Sequence, residues 1–361
     1  MRLALRLARR AWGRTSPNPM VGAVIVKNSA IIGRGWHRRA GGPHAEIEAI
    51  RDAQKGGHDL RGTTLVVTLE PCSTHGRTPP CTEAIIAAGI REVVVGTTDP
   101  NPKHAGRAFA ILERAGISVT HGVLAAECAA LNESFNHWIV HGTPFVTVKA
   151  AMSLDGKIAT VAGESKWITG ERARAYGMKL RAEADAVLVG VNTIVKDDPS
   201  LTVRLAGFAD KPFHRVVLDP DGRTPLTARV LRDEQAGMTT IVVTKNAPAR
   251  RMAALRQRAR VLVAPGQTGR IDLTWLCQTL GAENITSLLV EGGGETNAGW
   301  MPHCQRIAFF YAPIILGGRG APTAVAGAGG QSLDDRLALE DLQWRKLGSD
   351  LLLTARVRGS K

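Results

Sequence analysis

The sequence predicts an α/β protein built as two domains, and three observations carry that expectation. The chain has 361 residues, more than one average domain. Strand patterns alternate with helix patterns in both halves. A turn-rich break, HGTP at residues 141–144, separates the two series and places the domains at 1–143 and 144–361. With 44% hydrophobic and 22% charged residues, the chain has the material for ordinary folded cores.

In the first half, MVGAVIV (20–26) and AIIGRGW (30–36) read as a strand pair turning at Asn28 and Ser29. HAEIEAIRDAQ (44–54) takes helical spacing after a Gly-Gly-Pro break. TTLVVTL (63–69) reads as a buried strand, and CTEAIIAAG (81–89) as a helix that Gly89 ends. EVVVGTT (92–98), AFAILERAG (108–116) and ISVTHG (117–122) continue as strand, helix and strand. AECAALNESFNHWIVHG (126–142) reads as one closing helix. This order is that of a three-layer α/β domain with parallel crossovers. The second half runs through FVTVKAA, AVLVGV, RVVLDP, TTIVVT, RVLVAP, SLLVEGG and IAFFYAP as strands, with helical patterns between most of them. There is no internal repeat, and the Gly/Ala stretch 324–330 reads as a mobile surface loop.

Composition excludes several classes. Aromatics are only 4%, which disfavours a base-stacking platform for single-stranded nucleic acid. No apolar run approaches a membrane span. The opening MRLALRLARRAWG mixes basic with apolar residues, as an amphipathic helix does and a signal peptide does not. A cytoplasmic protein is expected, with a mitochondrial-type presequence as the alternative. Five cysteines in that compartment are thiols or metal ligands before they are disulfides. The net charge of +14 suits phosphorylated small molecules as well as nucleic acid. The basic residues are spread without a block, which argues against nucleic acid as partner.

The stretch LEPCSTHGRTPPC (69–81) holds Cys72 and Cys81, each preceded by a proline. His44, in HAE, completes a candidate metal set. Zinc takes thiolates and a neutral imidazole, and a catalytic site leaves the fourth position to water. Cys81 and His44 fall at predicted helix starts, and such an end favours a thiolate. Two thiolates and an imidazole leave the site formally neutral, so its water should be less acidic than the pKa of about 7 reached with three histidines. Glu46, two residues beyond His44, can take that proton and return it to a leaving amine. His-x-Glu followed by Pro-Cys and a second Cys is the pattern of zinc nucleobase deaminases, although eight residues separate the cysteines here. Taken singly, HAE is an ordinary solvated helix start and the cysteines are unrelated thiols; their order and flanking breaks make the set. One zinc per chain is expected. Cys128, Cys277 and Cys304 lie in helical or helix-end patterns and read as packing residues.

In the second half, SLLVEGGGETNAGW (287–300) reads as a strand, a glycine turn and a helix start, where backbone amides can approach a pyrophosphate. It lacks GxGxxG, which disfavours a standard Rossmann domain.

These motifs resemble the bifunctional riboflavin-biosynthesis deaminase–reductase family over nearly the whole chain. TSPNPMVGAVIVKN (15–28), AGGPHAEIEAI (40–50), TLEPCSTHGRTPPC (68–81) and DPNP (99–102) are similar to its deaminase half. KAAMSLDGKIAT (149–160), GESKWITG (163–170), DDPSLTVR (197–204), VEGGG (290–294) and APIILGG (312–318) are similar to its reductase half. The resemblance implies a cytidine-deaminase-like domain followed by a dihydrofolate-reductase-like domain. It implies zinc-dependent deamination of a diaminopyrimidine bearing a phosphoribosylamino group, then NADPH-dependent reduction of the ribosyl group to ribityl. A homo-oligomer is expected, with a phosphorylated pyrimidine and neither nucleic acid nor membrane as partner.

Carried over by motif, Asn18, His37, Arg77 and Asn101 match deaminase substrate contacts. Lys149, Ser165, Arg181, Leu201, Arg204 and Glu291 match the substrate side of the reductase. Ala151, Trp167, Thr193 and Asp197 match cofactor contacts, with Gly293, Gly294, Glu295, Thr296, Asn297, Ala298 and Gly299 around the cofactor phosphates. Three departures stand out. The chain opens inside what is usually the first helix; Thr74 stands where relatives place a histidine, with His75 one later; and Glu48 replaces a His or small residue. Two other classes remain open: a nucleic-acid-editing deaminase, which leaves the second domain without a use, and a zinc-stabilised binding protein, for which Glu46 is dispensable.

Overall fold

The computed structural model describes residues 1–74, 79–208, 210–266 and 269–359. The chain forms two compact units, Met1–Gly142 and Thr143–Lys361.

The first unit runs α1 (Arg2–Ala8), β1 (Gly22–Lys27), β2 (Ala30–Trp36), α2 (Ala45–Lys55), β3 (Thr64–Leu69), α3 (Cys81–Ala87), β4 (Glu92–Thr97), α4 (Arg107–Arg114), β5 (Ser118–Thr120), α5 (Ala125–Ala130) and α6 (Glu133–His141). Its strands form one sheet in the order β2-β1-β3-β4-β5. β1 is antiparallel to both neighbours, whereas β3, β4 and β5 are parallel. The β1–β2 hairpin turns on Asn28 and Ser29 with φ of 48° and 64°. Two left-handed residues give the turn twist that suits a hairpin. Ile25, Leu65, Val67 and Val95 from the sheet pack with Ala49 of α2 and Ile85 of α3. As expected for an amphipathic helix, α1 buries Ala4 and Leu7 against Val24 and leaves Arg2 and Arg6 exposed.

Gly35 sets how closely α2 approaches the sheet. A Cβ there would run into the Ala45 carbonyl and the Ala49 amide, so α2 rests directly on the backbone of β2. The expected closing helix is instead two. It breaks at Asn132, whose side chain turns away and is buried. Asn132 Oδ1 accepts from the Met20 N–H at 2.7 Å, and its Nδ2 donates to the Met20 carbonyl at 2.9 Å. A long-range pair of bonds has overridden the local helical preference.

The second unit runs β6 (Phe145–Ser153), α7 (Glu171–Glu183), β7 (Ala186–Gly190), α8 (Val191–Asp197), β8 (His214–Leu218), β9 (Thr239–Val243), α9 (Ala249–Arg256), β10 (Arg260–Val263), α10 (Leu273–Ala282), β11 (Ser287–Val290), α11 (Gly294–Trp300), β12 (Arg306–Ala312), β13 (Leu339–Leu347) and β14 (Asp350–Val357). The sheet order is β10-β9-β8-β7-β11-β6-β12-β14-β13. The strands from β10 to β12 are parallel, which is why β7 and all but the first residue of β11 read as apolar runs: both of their faces are covered. Val148, Leu188, Leu276, Leu280, Leu288 and Trp300 build the core. The β13–β14 hairpin, antiparallel and turning at Gly348, was not among the expected strands. The 324–330 stretch is not a free loop throughout: the Ala324 N–H donates to the Gly156 carbonyl and the Ala326 N–H to the Gly294 carbonyl, each at 3.1 Å.

Candidate functional site

In the first unit the residues read as metal ligands meet. His44 immediately precedes α2, Cys81 opens α3, and Cys72 lies three residues beyond β3. Their donor atoms lie within 4.8 Å of one another. His44 Nδ1 is 3.2 Å from Cys81 Sγ and 3.5 Å from Cys72 Sγ. An ion held tetrahedrally at about 2.0–2.3 Å would space its ligands by roughly 3.5 Å, so the set fits zinc. The Cys81 N–H also donates to Cys72 Sγ at 3.2 Å, which fixes that sulfur from the α3 end.

The electrostatics point the same way. The shared hydrogen bond with Cys81, then that with His44, brings Cys72 down to about 4, against the burial that would raise it. The Cys72 hydrogen bond lifts His44 to about 8. Cys81 is pushed up by the same sulfur–sulfur hydrogen bond and by burial. Three donors compete for protons in a space that one cation would satisfy. Glu46, in the first turn of α2, is 3% exposed, and burial raises its carboxyl above the usual range.

His44, Cys72 and Glu46 line a cavity of about 310 Å³ that also takes in Asn18, His37, Glu70, Asp99, Asn101 and His104, with Cys81 buried behind them. Asn18 and His37 are bonded to each other: Asn18 Nδ2 lies 3.1 Å from His37 Nε2. His37 Nδ1 lies 2.9 Å from the Pro43 carbonyl, so the ring carries its proton on Nδ1 and accepts from Asn18 at Nε2. Burial lowers the His37 pKa and agrees with a neutral ring. Asn101 Oδ1 accepts from the Lys103 N–H at 3.0 Å, which leaves its amide nitrogen as a donor. Arg77 and His75 lie outside the described residues.

In the second unit a different set lies around the carboxyl end of β11 and the middle of β6 beside it, near the sheet edge where open α/β sheets bind ligands. β11 lies between β7 and β6, with Val290 level with Val148, so Glu291 and Lys149 follow side by side. Arg181 of α7 donates to both Glu291 oxygens, at 2.7 and 2.9 Å, and to the Thr202 carbonyl at 3.2 Å. Lys149 Nζ is 3.9 Å from Glu291. Burial alone would raise Glu291; Arg181 and then Lys149 outweigh it and hold the carboxyl at about 2. Ala151 lies two residues along β6 from Lys149, and Thr193 and Asp197 lie on α8. Asp197 is 4.0 Å from Lys166, next to the exposed Trp167, over which Arg174 stacks at 4.5 Å. Ser165 is half-buried in the same loop and Arg204 is exposed. Leu201 is buried with φ of 53°.

The glycine turn after β11 is built for close approach. A Cβ at Gly292 would run into Thr296, and one at Gly294 into the Thr323 carbonyl, but one at Gly293 would meet nothing within 4 Å. The middle glycine therefore leaves its backbone open to a ligand phosphate, as a dinucleotide requires. Along α11, Glu295 and Gly299 are exposed, and Thr296 and Ala298 half-buried. Asn297 is buried and donates to the Ala324 carbonyl at 2.8 Å.

Comparison with known proteins decides the family. Residues 144–353 match the RibD C-terminal domain, and residues 1–97 match the cytidine and deoxycytidylate deaminase zinc-binding region. The riboflavin biosynthesis protein RibD of Aquifex aeolicus is 43% identical, with 98% of this chain and 96% of that one covered. That of Escherichia coli is 39% identical, with 98% and 97% covered. This chain belongs to the RibD family. Solved structures agree: Acinetobacter baumannii RibD superposes with a TM-score of 0.87 at 36% identity, covering 99% of this chain and 97% of that one. A Thermotoga maritima deaminase/reductase gives 0.84 at 37% identity, with the same coverage. As a RibD the chain is a bifunctional deaminase and reductase of riboflavin biosynthesis, and its cofactors are zinc and NADPH.

Sequence reasoning missed part of this RibD pocket. Phe135, Trp138 and Ile139 line the cavity from α6. Their i, i+3, i+4 spacing was an available signal, because it makes one helix face. α6 fully buries none of its residues, so that apolar face serves the cavity wall rather than the core. His104 and Glu70 carried no comparable sequence signal.

Proposed function

We propose that the two activities divide between the two units, with Met1–Gly142 as deaminase and Thr143–Lys361 as reductase. The substrates we infer are those named for the Thermotoga maritima relative: a diaminohydroxyphosphoribosylaminopyrimidine for the first, and 5-amino-6-(5-phosphoribosylamino)uracil for the second. The observation that carries the reading is the convergence of His44, Cys72 and Cys81, with His44, Cys72 and the buried Glu46 facing one cavity. We assign the three as zinc ligands, one ion per chain. Bound there, zinc supplies Lewis acidity and makes water a competent nucleophile at neutral pH. Glu46 takes a proton from the attacking water and hands it to the departing amine, which leaves as ammonia while the ring carbon keeps the oxygen. Asn18, His37, Asn101 and Arg77 are the polar groups assigned to hold the pyrimidine and its phosphoribosyl arm.

In the reductase, NADPH supplies a hydride for the ribosyl carbon. The 293–299 turn and helix, with Ala151, Trp167, Thr193 and Asp197, are assigned to the cofactor. Lys149, Ser165, Arg181, Leu201, Arg204 and Glu291 are assigned to the substrate side. Glu291, held at about 2, stays ionised at neutral pH and serves as the anionic partner of Arg181 and Lys149 rather than as a proton donor. Arg181 is already spanned by Glu291 and Thr202, whereas the exposed Arg204 is the better partner for a substrate phosphate.

We further infer a cytoplasmic homo-oligomer. Five unpaired cysteines support a reducing compartment. Among the described residues no helix is long and apolar enough to cross a membrane. The edge strand β13 exposes Leu342 and Trp344 beside Leu351 of β14, an apolar edge of the kind a second copy would cover. The decisive experiment incubates the chain with the phosphoribosylaminopyrimidine, with and without NADPH, and identifies products by mass. Deamination without NADPH and reduction only with it are expected; failure of either step rejects the corresponding assignment. Light scattering on Trp344→Lys tests the oligomer: a wild-type monomer, or an unaltered assembly in the variant, rejects that surface.

A further inference from the structure

Glu70 directly follows β3 and stands two residues before Cys72. Its side chain is buried, at 4% exposure, and both carboxylate oxygens are used. Oε2 accepts from the Asp99 N–H at 3.1 Å and the Gly106 N–H at 2.9 Å. Oε1 accepts from the Ala108 N–H at 3.1 Å. The Glu70 N–H itself donates to the Thr97 carbonyl at 2.9 Å. One residue thus gathers both ends of the 99–108 loop, where it leaves β4 and where it enters α4. Between those ends the loop carries Asn101 and His104 to the cavity wall. Inside it, the Asn101 N–H donates to Asp99 Oδ1 at 2.9 Å, so the tethered end is coupled to the asparagine.

We propose that Glu70 is a positioning residue for deamination, fixing the 99–108 loop so that Asn101 and His104 meet the pyrimidine. Hydrogen bonds to a carboxylate are about twice as strong as neutral ones, and three of them act on a single short segment. A buried carboxylate needs such compensation, and the first turn of α4 suits a negative charge. The same group would be superfluous if the loop were only a connection, because a surface loop can satisfy its N–H groups with water. His104 adds a reason for the loop to be held: its Nδ1 is buried and has no partner among the described residues, and the ring lines the cavity. A donor or acceptor on the substrate would pair that nitrogen, provided the loop stays in place.

The proposal rests on the cavity being the deaminase site. That premise has its own check, since Glu46→Gln must abolish ammonia release while zinc is retained. The test is Glu70→Gln in the full zinc-loaded chain. The substitution keeps the volume but sets an NH₂ group against at least one loop N–H. We expect the KM for deamination to rise about tenfold, since misplacing a contact by about 1 Å can cost up to 10²-fold. Zinc should stay at one per chain, and NADPH-dependent reduction of the deaminated substrate should be unchanged. Glu70→Asp keeps the charge and should recover part of the affinity; it also serves as the test variant if Glu70→Gln does not fold. A KM within twofold of wild type overturns the proposal, in Glu70→Gln or, where that does not fold, in Glu70→Asp. So does loss of zinc from the variant, which would mean that Glu70 acts through Cys72. Turnover that survives Glu46→Gln would instead reject the site.

Discussion

Removing the carboxylate of Glu291 should unsettle the second unit by an amount the structure sets. Glu291 and Arg181 are 11% and 12% exposed and joined by two short bonds, with Lys149 as a second cation. The fall of the Glu291 pKa from 4.5 to about 2, at roughly 1.4 kcal/mol per pH unit, corresponds to about 3 kcal/mol. A pKa depressed on folding adds stability that is complete above the unfolded value of 4.5 and lost as pH falls through about 2. Glu291→Gln should therefore cost about 3 kcal/mol at pH 7, because it also strands a buried guanidinium. The penalty should shrink from about pH 5 downward. Arg181→Gln alone should be similarly harmful, whereas the double variant should cost much less than the two together, with a coupling of about 3 kcal/mol. The assay is urea unfolding of all four proteins, followed through the transition of the larger unit. Additive penalties, or a Glu291→Gln penalty that does not change with pH, would refute the argument.

Three more outcomes are expected. Glu46→Gln should retain zinc by metal analysis and lose ammonia release by about 10²-fold or more, the scale of general acid–base catalysis. Cys81→Ser should abolish deamination and lower the zinc content, while NADPH oxidation with the deaminated substrate persists; loss of both activities would count against assigning one to each unit. Gly35→Ala should cost about 1–3 kcal/mol in thermal unfolding and weaken zinc binding against a competing chelator, since a Cβ there meets α2 backbone.

The candidate metal cluster was legible in the sequence because the residues read as its ligands are chemically rare and each sits beside a local break. His44 precedes a helix, and Cys72 and Cys81 follow prolines; nothing distant is needed to recognise them. Strands such as β7 and β11 were legible for a related reason, since burial on both faces leaves little but apolar residues. What escaped notice depends on partners far along the chain. Asn132 splits the closing helix by bonding Met20, 112 residues away. Glu70 looks like a motif spacer until the 99–108 amides are seen on it. The β13–β14 hairpin was hidden by its surface: β13 is exposed along most of its length, so its residues lack the apolar alternation of a half-buried strand.

The Asn132–Met20 pair also closes the first unit from one end of its chain to the other. His44, Cys72 and Cys81 all lie in the sequence between the two residues it joins. Phe135, Trp138 and Ile139 come after them, and Asn132 anchors the start of their helix to the segment leading into β1. Loosening that anchor would displace the α6 wall of the cavity without touching His44, Cys72 or Cys81.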